Sequence, residues 1–304
     1  MDNKKKLSEV LSEYAAFIAL ILLAVGLCAI SPEFRQVSNL LNLLRQAAFN
    51  GLIAIGMTCV ILSDGIDLSV GSTFALAAII CAEMLISGVP APLAIAAALV
   101  AGTVLGLISG ILVAKFRLQA FIATLITMTA YRGLAMIITD GKPISRLANA
   151  IESESGAFLF KALGKGNLLL FESVKIPLPA IILVILFGIF YFILNHTTFG
   201  RRIYATGSNA KCAKLVGVNT EKTKMYVYAI SGFLSALAGL MMISRVDSAQ
   251  PTLGSGYELD AIAAVALGGT SMSGGRGKIT GTIAGVLIIA MLNNGLNILG
   301  VTSY

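Results

Sequence analysis

Residues Ala91–Ala114, APLAIAAALVAGTVLGLISGILVA, carry no charged side chain from one end to the other. The run exceeds the roughly 20 helical residues that cross a hydrocarbon core about 30 Å thick. Backbone N–H and C=O groups in lipid have no water to bond, so such a segment is a helix whose hydrogen bonds close within itself. Comparable runs fall at 14–30, 40–62, 72–87, 118–139, 176–195, 225–244, 259–269 and 279–300. The run at 259–269 is too short to cross alone. Together they predict an all-α polytopic membrane protein with about nine transmembrane helices. Composition agrees, because AVILMFWYC residues make up 57% and DEKR residues 12%, about half the charge of a soluble domain. A cytosolic enzyme, a disulfide scaffold and a disordered chain are excluded. The first run has no small-residue cleavage site before Pro32 and reads as a retained span, not a removed signal peptide.

Basic residues gather in alternate loops. Lys4, Lys5 and Lys6 precede the first run, Lys115 and Arg117 follow the fourth, and Arg201, Arg202, Lys211, Lys214, Lys222 and Lys224 follow the sixth. Arg276 and Lys278 precede the last. Segment 140–175 mixes both signs, and between Arg245 and Asp260 one arginine meets Asp247, Glu258 and Asp260. Lys and Arg are retained on the cytoplasmic side, so the N-terminus and 199–224 are expected in the cytoplasm and 140–175 outside. The net charge of +7, from 22 Lys+Arg against 15 Asp+Glu, then follows from topology and needs no nucleic-acid partner.

Several features are not explained by spanning. Gly102, Gly106 and Gly110, and again Gly281 and Gly285, recur every fourth residue, a stripe that lets helices pack closely. Segment 199–224, FGRRIYATGSNAKCAKLVGVNTEKTK, is too polar for the membrane. Ser208 or Asn209 can cap a short helix over 210–216, and Gly217 can end it in a left-handed conformation. That helix either lies on anionic lipid or docks into a groove of a cytoplasmic partner. SDGIDLSVGS (63–72) sets Asp64 and Asp67 between apolar runs, where carboxylates either cap the next helix or serve function. Arg132 lies inside the fifth run, within snorkelling reach of the outer interface.

Catalytic signatures are absent. GGTSMSGGRGK (268–278) departs from a phosphate-binding P-loop at Met272 and Ile279, which leaves no visible ATP site. His196 is the only histidine, and Cys28, Cys59, Cys81 and Cys212 show no metal-ligand spacing. No cofactor, metal or catalytic residue is implied. Asn42, Gln46 and Asn50 in the second run and Asn293, Asn294 and Asn297 in the last are intramembrane amides. They bond neighbouring helices or offer donors and acceptors to a polyhydroxylated solute. Asn50, Asp67, Asn293 and Asn294 are the candidates for a translocation path.

GIDLSVGS (65–72), QAFIATL (119–125), SAQPTLGSGYELDAIAAVALGGTS (248–271) and LNNGLNILGV (292–301) occur in one order over 14–304. In these motifs the chain resembles the sugar-class ABC importer permeases. The resemblance implies a type II importer permease fold in a bacterial inner membrane, with about ten helices where the chain holds about nine. It further implies a second permease subunit, as a homodimer, a cytoplasmic ATP-binding subunit and an extracytoplasmic sugar-binding protein. The cargo it implies is a pentose, ribose. The family's coupling segment falls on 209–217, giving Asn209, Ala213, Leu215 and Gly217 as contacts to the ATPase. The Glu-Ala-Ala start common in such loops is Ala210, Lys211 and Cys212 here. Similar permeases continue past Tyr304 into one more helix, so a truncated end is expected. The chain is expected to form a single permease domain over 1–304. A stand-alone secondary transporter or channel is the competing class, against which the long basic segment 199–224 argues.

Overall fold

The computed structural model describes residues 2–171 and 174–300, and of 2–14, 169–171 and 174 it describes the backbone only. Lys4, Lys5 and Lys6 therefore lie outside the described side chains, and Tyr304 lies outside the described residues. The chain is α1 (Asp2–Ile30), α2 (Val37–Leu62), α3 (Val70–Ile86), α4 (Ala91–Ala114), α5 (Ala120–Thr139), β1 (Ile144–Ser145), α6 (Glu154–Lys165), β2 (Asn167–Phe171), β3 (Val174–Pro177), α7 (Leu178–His196), α8 (Thr198–Ser208), α9 (Ala210–Leu215), α10 (Thr220–Val246), β4 (Ser248–Ala249), α11 (Tyr257–Leu267) and α12 (Ile279–Ile298). Each apolar run read from the sequence coincides with a helix. Among the described residues six helices, α2, α4, α5, α7, α10 and α12, are long and apolar enough to cross a membrane, while α3 and the apolar part of α1 are shorter.

Burial separates inner helices, α2, α3 and α10, from an outer ring. The apolar window of α2 is 78% buried and that of α10 is 72% buried, against 28% for α4 and α5 and 22% for α7. The outer helices carry exposed Val100, Val104, Ile122, Ile126, Val184 and Ile185, a surface suited to lipid and not to water. The glycine stripe of α4 lies against α10, and a Cβ on Gly106 would collide with the Tyr228 carbonyl oxygen. Close backbone approach replaces the hydrophobic effect, which does not draw helices together inside lipid. Gly281 and Gly285 of α12 meet Gly268 and Ala264 of α11 in the same way.

The two ends of the bundle differ. At one end the residues of a single groove, Asp64, Arg117, Lys214, Glu221, Lys224 and Met272, bring together the α2–α3, α4–α5, α9–α10 and α11–α12 connections. All but the α2–α3 connection, which carries Asp64 and Asp67, are the basic segments. At the other end β1 pairs antiparallel with β4, Ile144 opposite Ala249. Segment 140–175, read from the sequence as a loop, is built there as α6 followed by the β2–β3 hairpin. The helix α6 is fastened to α10 by the Gly164 N–H, which donates to Ser244 Oγ at 2.9 Å. Arg132 of α5 donates to the carbonyls of Pro251 and Leu253 at 2.5 and 2.8 Å, and so ties α5 to the chain after β4. That contact gives the Arg132 charge a structural use about two turns before the end of α5.

Candidate translocation path and coupling surface

The basic end carries the segment expected to couple. Thr197 ends α7 and starts α8, its side chain accepting from the Gly200 N–H at 3.2 Å. Sequence reasoning anticipated one short helix in 199–224 and missed α8. Its signal was present, since Ile203 and Thr206 are buried while Arg201 and Arg202 are exposed, an amphipathic pattern at helical spacing. Asn209 then caps α9 as expected, its Oδ1 accepting from the N–H groups of Lys211 and Cys212 at 3.0 Å each. Gly217 stands at φ +85°, and the N–H groups of Gly217 and Val218 close on the Lys214 and Ala213 carbonyls at 3.1 and 3.0 Å. These two bonds satisfy the orphan carbonyls of the last turn.

Ala213 is buried against the body of the protein, while Leu215 and Val216 are 87% and 79% exposed. Two large apolar side chains held out on a capped single turn form a projecting knob. A Lys214–Glu221 ion pair at 2.9 Å links α9 to α10. Gly207 of α8 sits against the Leu62 carbonyl at the end of α2, and Gly275 donates its N–H to that same carbonyl at 3.0 Å. A displacement of α8 and α9 therefore reaches α2 and the α11–α12 connection directly.

Of the residues expected to line a path, the structure brings Asn50 and Asn293 together and places Asp67 and Asn294 elsewhere. Asn50 Nδ2 donates to Asp260 Oδ2 at 3.3 Å, and Asn293 Nδ2 reaches the same oxygen at 3.5 Å. All three residues are partly exposed. Asn294, by contrast, forms a reciprocal amide pair with Asn39 at 3.0 and 2.9 Å and is buried. Asp67 is 1% exposed. It accepts from the Ser69 N–H at 3.0 Å, from Ser69 Oγ at 2.6 Å and from Ser231 Oγ at 3.0 Å. Its carboxylate holds the start of α3 against α10 by fixing Ser69, the N-cap position of α3, without itself capping the first-turn N–H groups. Asp64 has φ +61° and an exposed side chain, and Lys224 Nζ donates to its carbonyl at 3.0 Å.

Asp260 was not among the residues singled out. It falls at the start of the apolar run 259–269, which the structure builds as α11, beside the middle of α2. Asn42, Gln46 and Asn50 lie four residues apart on α2, hence on one face. All three are at least partly exposed, although Ala47, Ala48 and Phe49 beside them are buried. Asn293 and Asn297 repeat that spacing on α12. Two polar stripes thus run from the end that carries α6 toward Asp260.

Residues 39–304 match the protein family described as branched-chain amino acid transport system / permease component. The chain is 51% identical over 294 residues to the ribose import permease protein of Haemophilus influenzae, covering 97% of this chain and 88% of that protein. To the ribose import permease protein of Bacillus subtilis it is 50% identical over 295 residues, with the same 97% and 88% covered. It is 36% identical over 340 residues to the xylose transport system permease protein of Escherichia coli, covering 95% of this chain and 86% of that one. No solved structure matches the chain.

Proposed function

The chain belongs to the branched-chain amino acid transport system / permease component family, and on that premise we propose that it is the membrane-spanning subunit of an ATP-driven ribose importer. One observation carries the reading: half of the aligned residues, over nearly the whole chain, are those of two ribose import permeases. The geometry supports it. The chain holds a projecting, capped helix at its basic end and converging polar stripes at the other, as a subunit does that takes its energy from one side and its solute from the opposite side.

The chain is multi-pass, with its N-terminus and basic end in the cytoplasm of a bacterium and α6 outside. It has the type II importer permease fold with about nine transmembrane helices, α1, α3 and α11 joining the six longer ones, the short α11 by packing against α12 and α2. It forms one domain and binds no nucleotide itself. A cytoplasmic ATP-binding subunit grips Leu215 and Val216 around the cap formed by Asn209, Ala213 and Gly217. An extracytoplasmic sugar-binding protein delivers the solute to the α6 end. A second copy of the chain completes the pathway, because Asn50, Asn293 and Asp260 are half-exposed at membrane depth, where a polar face must meet protein or water and not lipid. Asn294 and Asp67 brace the helices beside that path.

When the ATPase subunits close and open, α9 and α8 move as one piece, and the contacts of Gly207 and Gly275 with Leu62 pass the motion to α2. The path then opens alternately to the two sides. A secondary transporter has no use for a knob of this kind.

Vesicles containing the chain with its ATPase partner and binding protein test the proposal. Ribose uptake should require ATP inside the compartment that holds the ATPase. Uptake that persists without the ATPase subunit and follows a proton or sodium gradient would overturn it.

A further inference from the structure

Asp260 lacks a partner that would explain its charge. Asn50 is the central residue of α2, about 20 Å from either end of that helix, so the carboxylate beside it lies at membrane depth. There an ionisable side chain is costly and marks function unless it is paired. Among the described residues no Lys, Arg or His forms an ion pair with Asp260. Both amides that reach it address Oδ2, by long bonds of 3.3 and 3.5 Å, near the upper limit for a hydrogen bond. Oδ1 receives no hydrogen bond among the described residues. A purely structural carboxylate looks different in this same protein, for Asp67 is fully buried and accepts three bonds of 3.0 Å or less.

Position adds a second argument. The α2 stripe of Asn42, Gln46 and Asn50 stops at Asp260, and the next residues toward the basic end, Gly51 through Ser63, are all buried. The α12 stripe of Asn297 and Asn293 ends at the same carboxylate. A solute entering from the α6 end meets amides first and Asp260 last.

We propose that Asp260 is the residue that binds the sugar in the path, its free Oδ1 accepting hydroxyl groups while the weakly held Asn50 and Asn293 turn from Asp260 to the same solute. The ligand class is a neutral polyol, for which a carboxylate and two amides supply strong acceptors interleaved with donors. A bond to a charged group is stronger than one to an amide, so Asp260 outweighs either asparagine in its effect on transport. The inference rests on the importer reading above, and it deepens that reading by naming the contact.

The test uses the whole complex in proteoliposomes, with Asp260→Ala and the near-isosteric Asp260→Asn. Wild-type ATP-driven ribose uptake is measured first; if it is absent, the importer reading fails whatever Asp260 does. With it present, Asp260→Ala should lower ribose taken up per ATP hydrolysed about tenfold, equivalent to ~1.4 kcal/mol at the barrier, with a melting temperature near that of wild type. Asp260→Asn should lie between the two. A deoxy sugar that the binding protein still delivers should move more slowly than ribose through the wild type and at the same rate as ribose through Asp260→Ala. Unchanged uptake per ATP in both variants overturns the proposal. So does equal loss for every sugar, and so does a folding defect in both variants, since either result makes Asp260 a packing residue.

Discussion

Gly217 has the sharpest conformational requirement in the coupling segment. At φ +85° it adopts a backbone conformation that costs a residue with a Cβ roughly 1–2 kcal/mol, and a β-branched one more. Gly217→Val should unseat the α9 cap, misplace Leu215 and Val216 and lower ATP-driven uptake several-fold, with membrane insertion unchanged. Normal uptake by an assembled Gly217→Val complex would remove α9 from the coupling path. The two adjacent asparagines of α12 give a second prediction, because they turn to different sides of the helix. Asn294→Ala takes the reciprocal partner from the half-buried Asn39, which keeps only its 3.3 Å bond to the Phe34 carbonyl; the loss of about 1 kcal/mol should show as a lower melting temperature. Asn39→Ala should do the same, and the double variant should lose much less than the sum, as expected of groups that bond each other. Asn293→Ala should leave the melting temperature near wild type and lower uptake a few-fold. If both single variants melt alike and transport alike, the division between a bracing and a solute-facing asparagine is wrong.

At the scale of elements, the α4–α10 contact makes a prediction that the outer helices do not share. A methyl group at Gly106 would overlap the Tyr228 carbonyl, whereas one at Gly133 of α5 meets nothing within 4 Å. Gly106→Ala should therefore destabilise by about 1–3 kcal/mol as overpacking does, and Gly133→Ala should be neutral or slightly stabilising through helix propensity. Equal melting temperatures would mean that α4 and α10 separate freely. This contact also shows what the sequence revealed. A stripe of small residues inside an apolar run announces close packing, and Asn209 and Gly217 bracketing a short run announce a capped turn, because both signals are local. The Asn39–Asn294 pair and the Asp260 cluster were not legible, since each joins residues more than 30 positions apart and depends on how α11 sits beside α2. The α6 and β2–β3 elements were hidden for a related reason. They are short and mixed in charge, and they are held by contacts of α6 with α10 and of β3 with α2 and α7, not by a pattern of their own.

The whole molecule is ordered by one asymmetry, a basic end and an end capped by α6, and every functional assignment above depends on which end faces the cytoplasm. The chain carries its own probe for this. Of its four cysteines Cys59 and Cys81 are buried, Cys28 is partly buried on α1, and Cys212 alone is exposed, on α9. A thiol must be reached by reagent and ionise to react, so a charged maleimide that does not cross bilayers reports on Cys212 and passes over the buried pair. Sealed right-side-out vesicles should show little labelling, and inverted vesicles or detergent should show about one equivalent, lost in Cys212→Ser. The ATP-binding subunit adds a second readout, because a partner seated on Leu215 and Val216 covers the neighbouring turn. Its presence should slow labelling of Cys212 several-fold in inverted vesicles, and an α9 that lay on lipid instead would label at one rate with or without the partner. Strong labelling of Cys212 in intact right-side-out vesicles would put the basic end outside, invert the direction in which the polar stripes lead, and leave the α6 end, not α9, as the surface available to an ATPase.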